Sequence, residues 1–176
     1  SLLTASALGY KPEKWVVISV GADATTIQTI AGSRGIAPAA SAALLNGMIT
    51  ASHAPAPGDS SDEYIAAFKK INDEFNKGAD KRWDNNVLQG MNIGYMTVGA
   101  LMGTLNAKTV FSAKNNKTCQ ANAKNGTLSR VCFIDFMESN GSKIESAAFS
   151  PLQYSATTHE AFNSFWIGAY DAATVL

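Results

Sequence analysis

The chain has 176 residues, enough for one domain or one and a half, and at that size roughly 70% of the unfolded surface can be buried. Fourteen basic side chains balance fourteen acidic ones and no basic stripe exists, so nucleic acid is not expected as a partner. Charged residues make up only 16% against 46% hydrophobic, yet no run approaches the roughly 18 apolar residues of a membrane-spanning helix.

Residues 1–8 read as the last turns of a helix, with Leu2, Leu3, Ala7 and Leu8 apolar and Gly9 just past the end, where helices commonly stop. A helix already under way at the first residue raises the expectation of a piece cut from a longer protein. Residues 15–20 (WVVISV) form a hydrophobic strand that breaks at Gly21, and a new helix opens near Asp23. Residues 33–38 (SRGIAP) are loop, and a second strand, 48–52, is approached through Asn46-Gly47 and runs into prolines. This alternation is that of an open parallel sheet in an α/β fold, and such sheets hold ligands outside the carboxyl ends of their strands. Ser19, Gly21 and Asp23 fall at such an end. Gly21 permits the turn, and backbone N–H groups at the following helix start can meet a polar ligand group. The alternative for Asp23 is a plain N-cap.

Residues 53–61 (HAPAPGDSS) are a Pro/Gly linker. Ser60 and Glu63 then match a capping box, and Tyr64, Phe68, Ile71 and Phe75 recur at the spacing of one buried helix face. Asn76-Lys77-Gly78 ends that helix. A second helix runs over 84–105, with Val87, Leu88, Met91, Tyr95, Val98, Leu101, Met102 and Leu105 apolar. Gly90, Gly94, Gly99 and Gly103 interrupt it at a cost of about 1 kcal/mol each, which makes sense if another backbone packs closely. Trp83 and Tyr95 are candidates to face a ligand, though the helical spacing of Tyr95 points to the core. A short helix over 109–113 follows.

The last third reads as β. Residues 131–137 (VCFIDFM) form a strand, Asn140-Gly141 is the strongest short hairpin signal, 143–149 is the return strand, 150–160 is a polar loop, and 163–170 is a last strand. Cys119 and Cys132 flank a polar stretch. A disulfide there contributes about 3 kcal/mol in the chain-entropy model and implies an oxidising compartment; the alternative is two free thiols. Two cysteines and two distant histidines give no metal-ligand spacing, so no metal is expected. VGAD fits no dinucleotide or P-loop pattern. No nucleophile motif and no paired carboxylates are present, so neither a catalytic residue nor a cofactor is expected. His53 is either a hinge or cleft residue or a solvated linker histidine, and His159 lies in the polar loop.

The stretches ALGYKP before a strand, WVVISVGADATTIQTIAG, NGMITASHAPAP, DEYIAAFKKINDEF, DNNVLQGMNIGYMTVGALMGTL and FSPLQYSATTHEAFNSFWIGAY together resemble the C-terminal half of a type I periplasmic solute-binding protein. The nearest group is the branched-chain amino acid receptors of ABC transporters. The resemblance covers almost the full chain outside the Asn/Lys-rich region 114–128. It implies an α/β fold with parts of two lobes, an open, mainly parallel sheet and a C-terminal β-hairpin. On that map residues 1–52 end lobe 2, 53–57 are the hinge with Ser52, His53 and Pro55 at the crossing, 58–118 are the helical part of lobe 1, and 119–176 return to lobe 2. The resemblance implies an acidic partner for the ligand ammonium near 19–23, its counterpart falling nearer Val20 than Asp23; Ser19, Val20, Gly21 and Asp23 are the expected ligand set. It further implies a periplasmic or cell-surface location, a small-molecule solute with amino acids as the expected class, a membrane permease as partner, and an N-terminal half of the same protein. The N-x-S/T triplets at Asn116, Asn125 and Asn140 would be polar loops in a bacterial receptor. Two alternatives stand beside this: the ligand-sensing domain of a larger receptor, and a nucleotide-using enzyme on a doubly wound sheet.

Overall fold

The computed structural model describes residues 2–10, 12–18, 24–78 and 82–171. Helix α1 (Leu2–Ala7) ends where Gly9 takes φ +76°, letting the Tyr10 N–H reach back to the Ala5 carbonyl at 2.9 Å. Strand β1 (Val16–Ile18), helices α2 (Ala24–Ser33) and α3 (Pro38–Leu45) and strand β2 (Ile49–Ser52) follow. Pro38 starts α3 at a position where the missing N–H has no helical partner to lose. β1 and β2 are parallel, with Val16 opposite Ile49. The final strand, β3 (Trp166–Ala169), runs antiparallel to β2 with Ser52 opposite Trp166. The result is an α/β fold with a small open sheet of order β1-β2-β3, one pairing parallel and one antiparallel. One sheet face is packed: Ile27, Leu45 and Met48 are buried, with Trp15, Val17 and Tyr170 against them.

Helices α4 (Glu63–Phe75), α5 (Asn85–Thr104), α6 (Asn116–Lys124) and α7 (Arg130–Asn140) carry two further cores. Ile65, Phe68, Leu88 and Ala147 form one; Ala100, Phe111, Cys119, Cys132, Phe136, Ile144 and Leu152 form the other. The N-cap of α4 is Asp62, whose carboxylate accepts from the Tyr64 and Ile65 N–H groups at 3.0 Å, and not the expected Ser60. Its buried face is Ile65, Phe68 and Asn72, leaving Ile71 and Phe75 46% and 73% exposed. The expected stripe is rotated because the Asn72 amide donates to the Arg82 carbonyl at 3.1 Å and draws its own side inward. Helix α5 begins at the Asp84 cap, which accepts from the Val87 N–H.

The expected hairpin over 131–149 is not formed. Residues 131–137 lie inside α7, and 141–143 make a single 3-10 turn. Three facts explain the helix. Ser129 caps it by accepting from the Cys132 N–H; Cys132, Asp135, Phe136 and Asn140 bury one helical face; and the 119–132 disulfide joins α7 to α6, with Cα atoms 5.4 Å apart. Asn140 is not a turn residue: it is buried, and its amide donates to the Val110 carbonyl. Residues 109–113 are not helical; the turn there leads into α6.

Gly103 meets the expectation of close packing, because a Cβ at that position would run into the buried ring of Phe136. Gly90 and Gly94 face open space instead. Gly103→Ala is therefore expected to cost about 1–3 kcal/mol through overpacking, whereas Gly94→Ala gains helix propensity and is expected to stabilise by up to about 1 kcal/mol. Chemical denaturation of the two variants checks both signs.

Candidate functional site

The chain leaves the sheet at the carboxyl end of β2 and returns from the helices into β3. The two passages touch. The Phe149 N–H donates to the His53 carbonyl at 2.9 Å. The His53 ring stacks on Phe162 with centroids 5.3 Å apart and planes 13° off parallel. Phe149 and Trp166 pack with centroids 5.7 Å apart. Ser52 fixes the strand exit: its Oγ donates to the Ala54 carbonyl at 2.8 Å and accepts from the Ala54 N–H at 3.3 Å. Pro55 is buried, and the Trp83 indole N–H donates to the Pro57 carbonyl at 2.7 Å. Ser52, His53 and Pro55 thus sit together where the outgoing and returning segments meet. Ser19, Val20, Gly21 and Asp23, at the end of β1, lie outside the described residues.

The junction thus brings Phe149, Phe162 and Trp166 around His53. Phe165 and Trp166 are each 64% exposed and Phe149 46%. No Asp, Glu, Lys or Arg occurs in 50–57, 146–158 or 161–170. Phe149, Phe162 and Phe165 do not stand out in the sequence, and Trp166 reads there as strand packing. The available signal was that a strand antiparallel to β2 begins beside the carboxyl end of β2, which puts the FNSFW segment there.

The other candidates lie apart. Trp83 packs against the α4–α5 core. Tyr95 is not core: it is 39% exposed, and its hydroxyl donates to Glu145 Oε2 at 2.9 Å. That bond, then desolvation and the Glu145 charge, holds its hydroxyl pKa above the ordinary phenol value. Tyr95 also completes a triangle with Tyr64 and Phe68, at centroid separations of 5.8 and 5.7 Å, which edge-to-face contact stabilises. His159 stacks on Tyr154, its Nε2 3.4 Å from Glu138 Oε1.

A buried carboxylate elsewhere has a structural task. Asp135 accepts from the Ser112 N–H at 2.7 Å, the Ser112 hydroxyl, the Asn115 amide at 2.6 Å and the Ser139 hydroxyl at 3.4 Å. Burial pushes its pKa up, but these donors together outweigh burial and hold it below the ordinary value. It clasps the 112–115 turn to α7. Among the described residues no group of His, Cys, Asp and Glu could hold a metal ion, and no helix is long and apolar enough to cross a membrane. Set against family models, curated proteins and solved structures, the chain matches none of them.

Proposed function

We propose that this chain is the C-terminal part of an extracytoplasmic solute-binding receptor of the type I periplasmic kind. It captures a small solute, with amino acids as the expected class, and delivers it to the membrane permease of an ABC transporter. No bond is broken and no cofactor is used. The observation that carries the reading is the separation of the cores. The sheet has its own core with α2 and α3, the four later helices have theirs, and two touching segments connect them at His53 and Phe149. That is an arrangement suited to hinge closure around a ligand. Ser52, His53 and Pro55 form the outgoing hinge strand, and the return passage runs through 145–165. In this reading the carboxyl end of β2 supplies one wall of the cleft, an N-terminal half of the same protein supplies the other, and Ser19, Val20, Gly21 and Asp23 are the ligand contacts that the resemblance implies. The disulfide fits the periplasm or cell surface, where such bonds persist.

A thermal-shift screen of the common amino acids tests this. A solute bound at one hundred times its Kd adds about 2.7 kcal/mol to stability, so one class of solute is expected to raise the melting temperature saturably. A flat response to every amino acid at millimolar concentration overturns the reading for this chain.

A further inference from the structure

We propose that the outer face of α5 is a self-association surface, on which a second copy of this chain packs its own α5 antiparallel across a two-fold axis. This inference goes beyond the receptor reading and does not depend on it. Residues 85–105 contain no Asp, Glu, Lys or Arg. A helix so free of charge is normally enclosed, yet Ile93, Val98 and Met102 are 58%, 54% and 68% exposed. Gly90, Gly94, Val98, Leu101 and Leu105 follow one another at steps of three and four, so they lie on one side of the helix.

Small and large residues divide that side between them. Gly99 and Gly103 serve packing within the chain, since a Cβ there would meet Ile144 or Phe136. A Cβ at Gly90 or Gly94 would meet nothing within 4 Å, so these two cost helix propensity with no gain inside the chain. They leave a shallow groove on the first half of the outer face, where another backbone can come close. Val98, Leu101, Met102 and Leu105 make a ridge on the second half. A two-fold contact must be self-complementary. The antiparallel arrangement meets that condition because each ridge lies on the partner's groove, whereas a parallel one sets ridge against ridge. The Thr97 hydroxyl donates to the Ile93 carbonyl at 2.7 Å, so it brings no unpaired donor into the contact. At the margin the Tyr95 hydroxyl is held by Glu145, in the manner of a polar rim. The 20 residues of α5 span about 30 Å, and contact along that length buries on the order of 600 Å² per copy, at the lower limit of a specific interface. A dimer of micromolar affinity is the expected result.

Sedimentation of the whole chain from about 1 to about 500 μM tests this. A reversible shift toward twice the 18.5 kDa of one chain is expected. Val98→Asp sets two carboxylates near the axis and is expected to weaken the dimer at least about tenfold. Gly94→Leu fills the groove and is expected to weaken it by a similar factor, although it makes the face more apolar; unspecific hydrophobic association would instead grow stronger. Both positions point away from the core of the chain, and far-UV circular dichroism establishes that both variants keep the wild-type fold. A chain that stays monomeric over the whole range, one that forms species larger than a dimer, or a variant of either kind that dimerises as tightly as the wild type overturns the proposal. The amino acid screen above is unaffected by any of these results, so the receptor reading is judged separately.

Discussion

A chain carrying Cys119→Ala and Cys132→Ala is expected to unfold with about 3–5 kcal/mol less free energy than the wild type. Two effects add. The cross-link spans 13 positions, and closing a loop of about that length removes roughly 3 kcal/mol of denatured-state entropy in the chain model. The sulfurs are also buried among Ala100, Phe111, Phe136, Ile144 and Leu152, so truncation leaves a void in a close-packed cluster. The loss should concentrate in α6. Its nine residues bury only Cys119 and Ala123, and a helix that short does not stand alone in water. Hydrogen exchange over 116–124 should accelerate before the rest of the helical unit, and reductant should shift the wild-type denaturation midpoint toward that of the double variant. An unchanged midpoint on full reduction would show that the bond contributes nothing.

How much of this architecture can be read from the residues depends on which force shapes each part. β1 and β2 are short apolar runs bounded by Gly and Pro, and α4 and α5 are long enough for helical periodicity to show; the pattern gives the existence of these elements but not the buried face of α4, which is Ile65, Phe68 and Asn72. The capping-box pattern placed the start of α4 at Ser60, two residues ahead of Asp62, because two side chains near the start could both serve as caps and only packing chooses between them. The 131–137 run misleads for a different reason. Val131, Phe133, Ile134 and Phe136 have strand propensity, but propensity is a weak prior, and the burial of Cys132, Asp135, Phe136 and Asn140 at helical spacing decides the outcome. The two cues that point to a helix are Ser129 as a cap and the coupling of Cys132 to Cys119.

The candidate site divides along the same line. Chain order alone marks Ser52 and His53 as the exit from the sheet, because the second strand runs there into a Pro/Gly linker. The place of Trp166 beside the exit of β2 needs the register of β3 against β2, which no short-range pattern encodes: a shift of one residue would exchange the faces that Trp166 and Ile167 occupy. That register also sets which rings of the returning passage meet His53.

Asp135→Ala is expected to cost about 3–4 kcal/mol and to abolish the acid sensitivity that this carboxylate confers. The truncation leaves the Ser112 N–H, the Ser112 hydroxyl and the Asn115 amide without their acceptor, and each buried orphan donor costs about 1–3 kcal/mol. Partial access of water to the half-buried turn keeps the total below the sum. The pH dependence follows from the direction of the shift. The folded-state pKa of Asp135 is depressed, so its contribution is fully present above the pKa of an unfolded-state aspartate and is lost as pH falls through the folded value. Between neutral pH and the ordinary aspartate range the wild-type chain should keep this term, and below that range it should lose it progressively. Asp135→Asn tests the charge apart from the shape: it retains one acceptor oxygen but turns an NH2 toward a donor, so it should lose about 2 kcal/mol at neutral pH and show a shallower stability slope in acid. Equilibrium urea unfolding at several pH values measures both quantities. A variant as stable as the wild type at neutral pH, with the same acid slope, would mean that Asp135 does not clasp the 112–115 turn to α7.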